Sequence, residues 1–185
     1  MKALKNPIVA ILLAAILVVS STFLSASSNL SKDAQKVTDG FYNGVTYDGY
    51  KHTSIYSQLN NIIGAIDGMC SVAANNGVNT TALSMAVDEL KSSLSTMHNN
   101  IGSVYLCYRA VCDQLTPFMN EMNSLSLSER ESEGIQAYKD TVDNAQRVIE
   151  ESGYNESVRN YRTSLGTTAS FFASVCGVTG PEYFA

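Results

Sequence analysis

Residues 79–122 read NTTALSMAVDELKSSLSTMHNNIGSVYLCYRAVCDQLTPFMNEM. Within them Leu83, Val87, Leu90, Leu94, Met97, Ile101, Val104, Tyr108, Val111, Leu115, Phe118 and Met122 follow one another at alternating spacings of four and three. A seven-residue apolar repeat keeps one stripe of a helix dry only if other helices cover it, as in an antiparallel bundle or coiled coil. The pattern predicts a single long helix beginning at Asn79 or Thr80. Gly102 is one weak point in it. Pro117 is the other, because its ring and missing N–H should kink or end the helix near Thr116.

The same periodicity runs outward on both sides. Upstream, Tyr56, Leu59, Ile63, Ile66, Cys70 and Ala73 form a stripe that stops at Asn75-Asn76-Gly77, a composition suited to a helix C-terminus. Downstream, Ser126-Leu127-Ser128-Glu129 has capping-box form and predicts the start of a third helix. Its stripe is Ile135, Tyr138, Val142, Ala145 and Ile149, resuming at Val158 and Tyr161 and continuing to about Leu165, with Gly153 as a breaker. Residues 171–178 are short and apolar. Nothing alternates polar and apolar for long enough to specify a sheet. The fold class is therefore all-α: an N-terminal transmembrane helix followed by an antiparallel bundle of three to four long helices.

That transmembrane helix is read from the run Pro7 to Leu24, introduced by Lys2 and Lys5 and followed by no charge until Lys32. A bilayer core about 30 Å thick needs roughly 20 helical residues. Ile8, Leu12, Leu13, Ile16 and Leu17 are the expected anchor residues. A basic start, an apolar centre and the small residues Ser25-Ala26-Ser27-Ser28 fit a cleaved secretory peptide as well as a retained signal anchor. The flanking lysines lean towards a cytoplasmic N-terminus and an extracytoplasmic body; the alternatives are a body on the cytoplasmic face or one secreted after cleavage. The expected organisation is a membrane segment over residues 1–31, a linker and first-helix entry over 32–50, and the helical bundle over 51–185.

From Lys32 onward ten basic residues face seventeen acidic ones, a formal charge of −7. That balance argues against nucleic-acid binding and against a polybasic lipid patch. Cys70, Cys107, Cys112 and Cys176 are an even number in an exported chain, so one or two disulfides are allowed, and four small buried apolar side chains are the other reading. Cys107 and Cys112, five apart, cannot pair within one unbroken helix. Between Ser25 and Tyr50, the steps Asp39-Gly40, Asn43-Gly44 and Asp48-Gly49 are turn or breaker signals among Phe41, Tyr42, Tyr47 and Tyr50. Those aromatics either pack the entrance to the bundle or recognise cell-wall glycan or peptide.

Chemistry has no visible constellation. His52 and His98 stand apart from any metal-binding pattern, and neither a phosphate-cradling glycine loop nor a GxSxG or SxxK nucleophile element occurs. The acids Glu129, Glu131 and Glu133 sit at a helix start, where they complement its dipole. The expectation is a non-enzyme without cofactor or metal.

The stretch Tyr154-Asn155-Glu156-Ser157-Val158-Arg159-Asn160-Tyr161 resembles the end of the last long helix in the LemA family of bacterial membrane-anchored proteins, where a Tyr-Asn pair, a valine and a second Tyr-Asn pair recur. The ending Pro181-Glu182-Tyr183-Phe184-Ala185 resembles that family's Pro-Tyr-Phe terminus. Arg162 stands in place of the second asparagine, and Thr168 in place of a phenylalanine that precedes proline. The resemblance implies a helical bundle on a single anchor, with no established enzymatic activity. Tyr154, Val158 and Tyr161 share one helical face and either pack the core or, with Tyr183 and Phe184, form a docking edge. The expected function is a membrane-anchored helical scaffold or envelope-associated interaction protein that binds a protein partner or itself; the alternative is a cell-wall binding or sensing domain.

Overall fold

The computed structural model describes residues 7–47, 49–96 and 100–185, and of residues 7–10, 12, 13, 19 and 47 the backbone alone. Lys2, Lys5, Asp48, Met97 and His98 lie outside the described residues, as do the side chains of Ile8, Leu12, Leu13 and Tyr47. The fold is all-α: α1 (Pro7–Asn43), α2 (Ile55–Asn75), α3 (Thr81–Ser95), α4 (Ile101–Met122), α5 (Glu129–Glu150), α6 (Tyr154–Ser164) and α7 (Thr167–Val175). Between α1 and α2 a two-residue pair, β1 (Thr46–Tyr47) with β2 (Tyr50–Lys51), forms a small antiparallel hairpin. The chain divides into two compact units, one of residues 38–158 with 182–185 and one of residues 1–37 with 159–181.

In the larger unit α2 packs on α5 and on α3, and α3 packs on α4. The core is supplied by Leu59, Ile62, Ile66 and Met69 of α2, Val87 and Leu90 of α3, Val111 and Met122 of α4, and Val142 of α5. The buried stripe of α2 is turned slightly from the expected one: Met69 and Ile62 fill the centre, while Tyr56 is partly exposed and Cys70 half-buried.

The long helix expected over residues 79–122 is two helices. Thr96 leaves the helical conformation at ψ 85°, and Asn100 opens α4 by accepting the Ser103 N–H at 3.3 Å. A stripe that seeks a partner is satisfied equally by folding back on itself, and α3 and α4 cover each other as a helical hairpin. Pro117 does not end α4, which runs on to Met122. Pro117 and Asp113, four residues before it, are both exposed, while buried Phe118 and Met122 hold the last turn.

The capping box is real but sits two residues later than expected. Ser128 Oγ accepts the Glu131 N–H at 3.4 Å, and Glu131 Oε2 accepts the Ser128 N–H at 3.0 Å. Gly153, at φ 69°, separates α5 from α6, so the third long helix of the sequence reading is also two. Asp39-Gly40 does not break α1, which continues to Asn43 and stops at Gly44. There φ is 80°, and a Cβ would collide with the His52 carbonyl oxygen.

The smaller unit holds α1 up to Val37, the end of α6, α7 and the segment leading to Pro181. Within it the Tyr161 hydroxyl donates to the Leu30 carbonyl at 3.4 Å, and Arg162 Nη2 donates to the Pro181 carbonyl at 2.9 Å. The Phe23 and Phe172 rings meet edge to face, centroids 5.4 Å apart. Helix α1 is the one helix among the described residues long and apolar enough to cross a membrane.

Candidate functional site

The best-formed concavity lies in the larger unit, where α4 and the α5–α6 junction face each other. It is a groove of about 700 Å³ whose walls include Tyr105, Tyr108, Arg109, Cys112, Asp113, Glu150, Asn155 and Phe184. The C-terminal tail forms one side of it. Phe184 is buried, with its ring 5.2 Å from Tyr105, 5.6 Å from Tyr108 and 5.7 Å from Phe41. Phe41 in turn meets the Tyr154 ring at 5.8 Å. Offset and edge-on contacts of this kind orient rings beyond what burial alone would do.

Hydrogen bonds fix the tail in register. The Asn155 side chain donates to the Phe184 carbonyl and accepts the Phe184 N–H, each at 2.8 Å. The Tyr154 hydroxyl donates to the Glu182 carbonyl at 2.8 Å, and the Glu182 carboxylate accepts the Gly102 N–H at 2.9 Å. That last bond satisfies a donor of the first turn of α4, which has no partner inside the helix.

Inside the groove, Gln146 Nε2 donates to the Cys112 sulfur at 3.5 Å, linking α5 to α4. Burial pushes the Cys112 thiol up, and hydrogen bonds with Tyr108 and Gln146 only partly oppose it. Burial, with Cys112 adding to it, raises the Tyr108 phenol as well. Both groups are thereby held protonated. A nucleophile or general base needs the opposite shift. Arg109, exposed at the rim, donates to the Tyr105 hydroxyl at 3.4 Å.

The structure brings part of the sequence-derived face together. Tyr154 and Val158 are buried in the larger unit with Phe184, Tyr154 bonded to the chain's own tail, and Tyr183 is half-exposed. Tyr161 is buried in the smaller unit. Of the anchor residues, Ile16 and Leu17 are 59% and 69% exposed. The loop aromatics separate: Phe41 is core, Tyr42 is half-buried against Phe41 and Tyr56, and Tyr50 is exposed. All four cysteines are free and half-buried. Sequence reasoning did not find Tyr105, Asn155 as a tail clamp, or Glu182 as a helix cap. The only trace of them was the co-occurrence of Tyr154-Asn155 with the Phe184 ending.

Compared with known proteins, the chain matches no family model, no curated protein and no solved structure. Among the described residues no group of three His, Cys, Asp or Glu side chains is placed to hold a metal ion.

Proposed function

We propose that this chain is a membrane-anchored, non-catalytic helical-bundle protein of LemA type, which acts in the envelope by binding a protein partner or a second copy of itself. The observation that carries the anchor is α1. Charge is absent from Asn6 to Ser31, and Ile11, Ile16, Leu17, Val18 and Leu24 are each more than half exposed. A row of apolar side chains with no protein over it is the arrangement that lipid covers. The hydroxyls in that region are turned inward: Ser21 and Thr22 both donate to the Val18 carbonyl, at 2.9 and 2.8 Å.

Two further observations support the reading. The sequence pieces that resemble the LemA family, Tyr154-Asn155 and the Phe184 ending, are hydrogen-bonded to each other. Two groups of the groove, Tyr108 and Cys112, are shifted by burial away from their charged forms.

The test is fractionation of the full chain expressed in bacteria, followed by alkaline carbonate extraction and labelling of intact cells with a membrane-impermeant maleimide. Because Cys70 and Cys112 are half-buried with raised thiols, the reporter is Tyr50→Cys at a position 75% exposed. Retention in the carbonate pellet with labelling of intact cells is expected. Release by carbonate removes the anchor, and labelling only after lysis places the body in the cytoplasm. Strict monomers with no crosslinked partner would remove the interaction role.

A further inference from the structure

A second stretch of the chain is free of charge. From Thr163 to Pro181 there is no Asp, Glu, Lys, Arg or His, and this stretch contains α7. No residue of α7 is buried, and Phe171 and Val175, one helical turn apart, are 62% and 57% exposed. A short helix that turns phenylalanine and valine outward together is unfavourable in water and is matched by an apolar surface.

The contacts of α7 say which surface. Phe172 packs edge-on against Phe23 of α1, at the end of the apolar run. The first charge after that run, Lys32, lies about 13 Å further along the helix axis at 1.5 Å per residue. Phe172 thus stands at the level where acyl chains give way to headgroups. Aromatic side chains are enriched at that depth.

Charge distribution agrees. Beyond the apolar run, the smaller unit carries Lys32, Lys36, Arg159 and Arg162 against Asp33, a formal +3, whereas the larger unit has six bases against sixteen acids, a formal −10. All four basic side chains are exposed. Long cations beside an apolar span reach headgroup phosphates while their stems cover apolar surface.

We propose that α7 is a second membrane contact, lying in the interface of the bilayer that holds α1, with Phe171 and Val175 in the outer acyl region. This rests on the reading of α1 as a retained span.

The chain contains no tryptophan, so single reporters can be placed in the full-length protein. Phe171→Trp, Ile16→Trp and Tyr50→Trp would be reconstituted separately in phosphatidylcholine vesicles containing phosphatidylglycerol, with acyl chains brominated either near the headgroup or near the methyl end. The expected result is a blue-shifted Phe171→Trp emission that is lost chiefly to shallow bromine. Ile16→Trp should be lost to deep bromine, and Tyr50→Trp should be unaffected. Quenching of Ile16→Trp with a water-like, unquenched Phe171→Trp overturns the inference and leaves the anchor standing. Failure of both to quench overturns the anchor reading and the inference together. A blue-shifted Phe171→Trp that neither bromine position quenches means protein covers α7, and that also overturns it.

Discussion

Asn155 makes two hydrogen bonds to one backbone unit, accepting from the Phe184 N–H and donating to the Phe184 carbonyl. This is the pairing an adjacent strand would offer, and a side-chain amide is the neutral group that can supply both halves. Aspartate in its place keeps the acceptor and loses the donor; alanine loses both. Each net hydrogen bond contributes about 1 kcal/mol, so Asn155→Ala should destabilise the larger unit by about 2 kcal/mol in denaturant titration. Hydrogen exchange at the Phe184 amide should accelerate. Tyr154→Phe, which loses only the bond to the Glu182 carbonyl and keeps the ring against Phe41, should cost about half as much. Equal stability of Asn155→Ala and the parent chain would mean that Phe184 is held by its ring contacts alone.

At the level of elements, helix α2 contains a direct comparison. A Cβ at Gly64 would meet nothing within 4 Å, whereas at Gly68 it would meet the Tyr138 ring of α5 at 2.6 and 2.8 Å. Alanine is favoured over glycine inside a helix by about 1 kcal/mol, so Gly64→Ala should raise the unfolding midpoint. Gly68→Ala gains the same preference but overpacks the α2–α5 contact at a cost of about 1–3 kcal/mol, and its midpoint should be level or lower. If the clash is the cause, Gly68→Ala placed in a Tyr138→Ala chain should show the gain relative to Tyr138→Ala alone. The start of α5 gives a pH test. Hydrogen bonds from Ser128, then from Asn76, hold the Glu131 carboxyl below its ordinary value. A depressed carboxyl contributes stability that is complete above the unfolded pKa and lost as pH falls through the folded one. Thermal melts from neutral towards acid pH should therefore fall less steeply in Glu131→Gln than in the parent, while Ser128→Ala should cost about 1 kcal/mol at neutral pH. These elements also mark how far the sequence could be read. Spacing identified the apolar faces of α3, α4 and α5, because burial dictates period. It did not reveal that α3 ends at Ser95 and α4 begins at Ile101, because a heptad stripe has the same form whether its partner is another helix or its own second half. The capping box was visible as a motif but read from Ser126 to Glu129, whereas the structure forms it two residues later, between Ser128 and Glu131. Of the groove's aromatics, Tyr108 and Phe184 were singled out in the sequence for other roles and Tyr105 was not. The meeting of Asn155 with Phe184 was not legible, since it joins residues nearly thirty positions apart with no periodicity between them.

For the whole molecule, the path of the chain matters most. The larger unit is closed by residues 182–185, which return to it only after the chain has run through the end of α6, α7 and Pro181 of the smaller unit. Its core therefore depends on these residues: Phe184 is 5% exposed among Phe41, Tyr105 and Tyr108, while Ala185 just beyond it is exposed. This asymmetry between two neighbouring residues separates deletion from extension. Removing Phe184 and Ala185 leaves an aromatic-lined void and unpairs Asn155, and loss of a buried phenylalanine typically costs about 3–5 kcal/mol. That is a large part of the roughly 5–15 kcal/mol by which a domain is stable. The truncated chain should melt well below the parent and be cleaved readily by protease. Adding residues after Ala185 displaces nothing buried, so a C-terminal tag should leave the melting midpoint unchanged. If deletion were as harmless as extension, the tail would be an appendage and the groove would not depend on it; if the tag were as damaging as the deletion, the chain end would be enclosed rather than exposed.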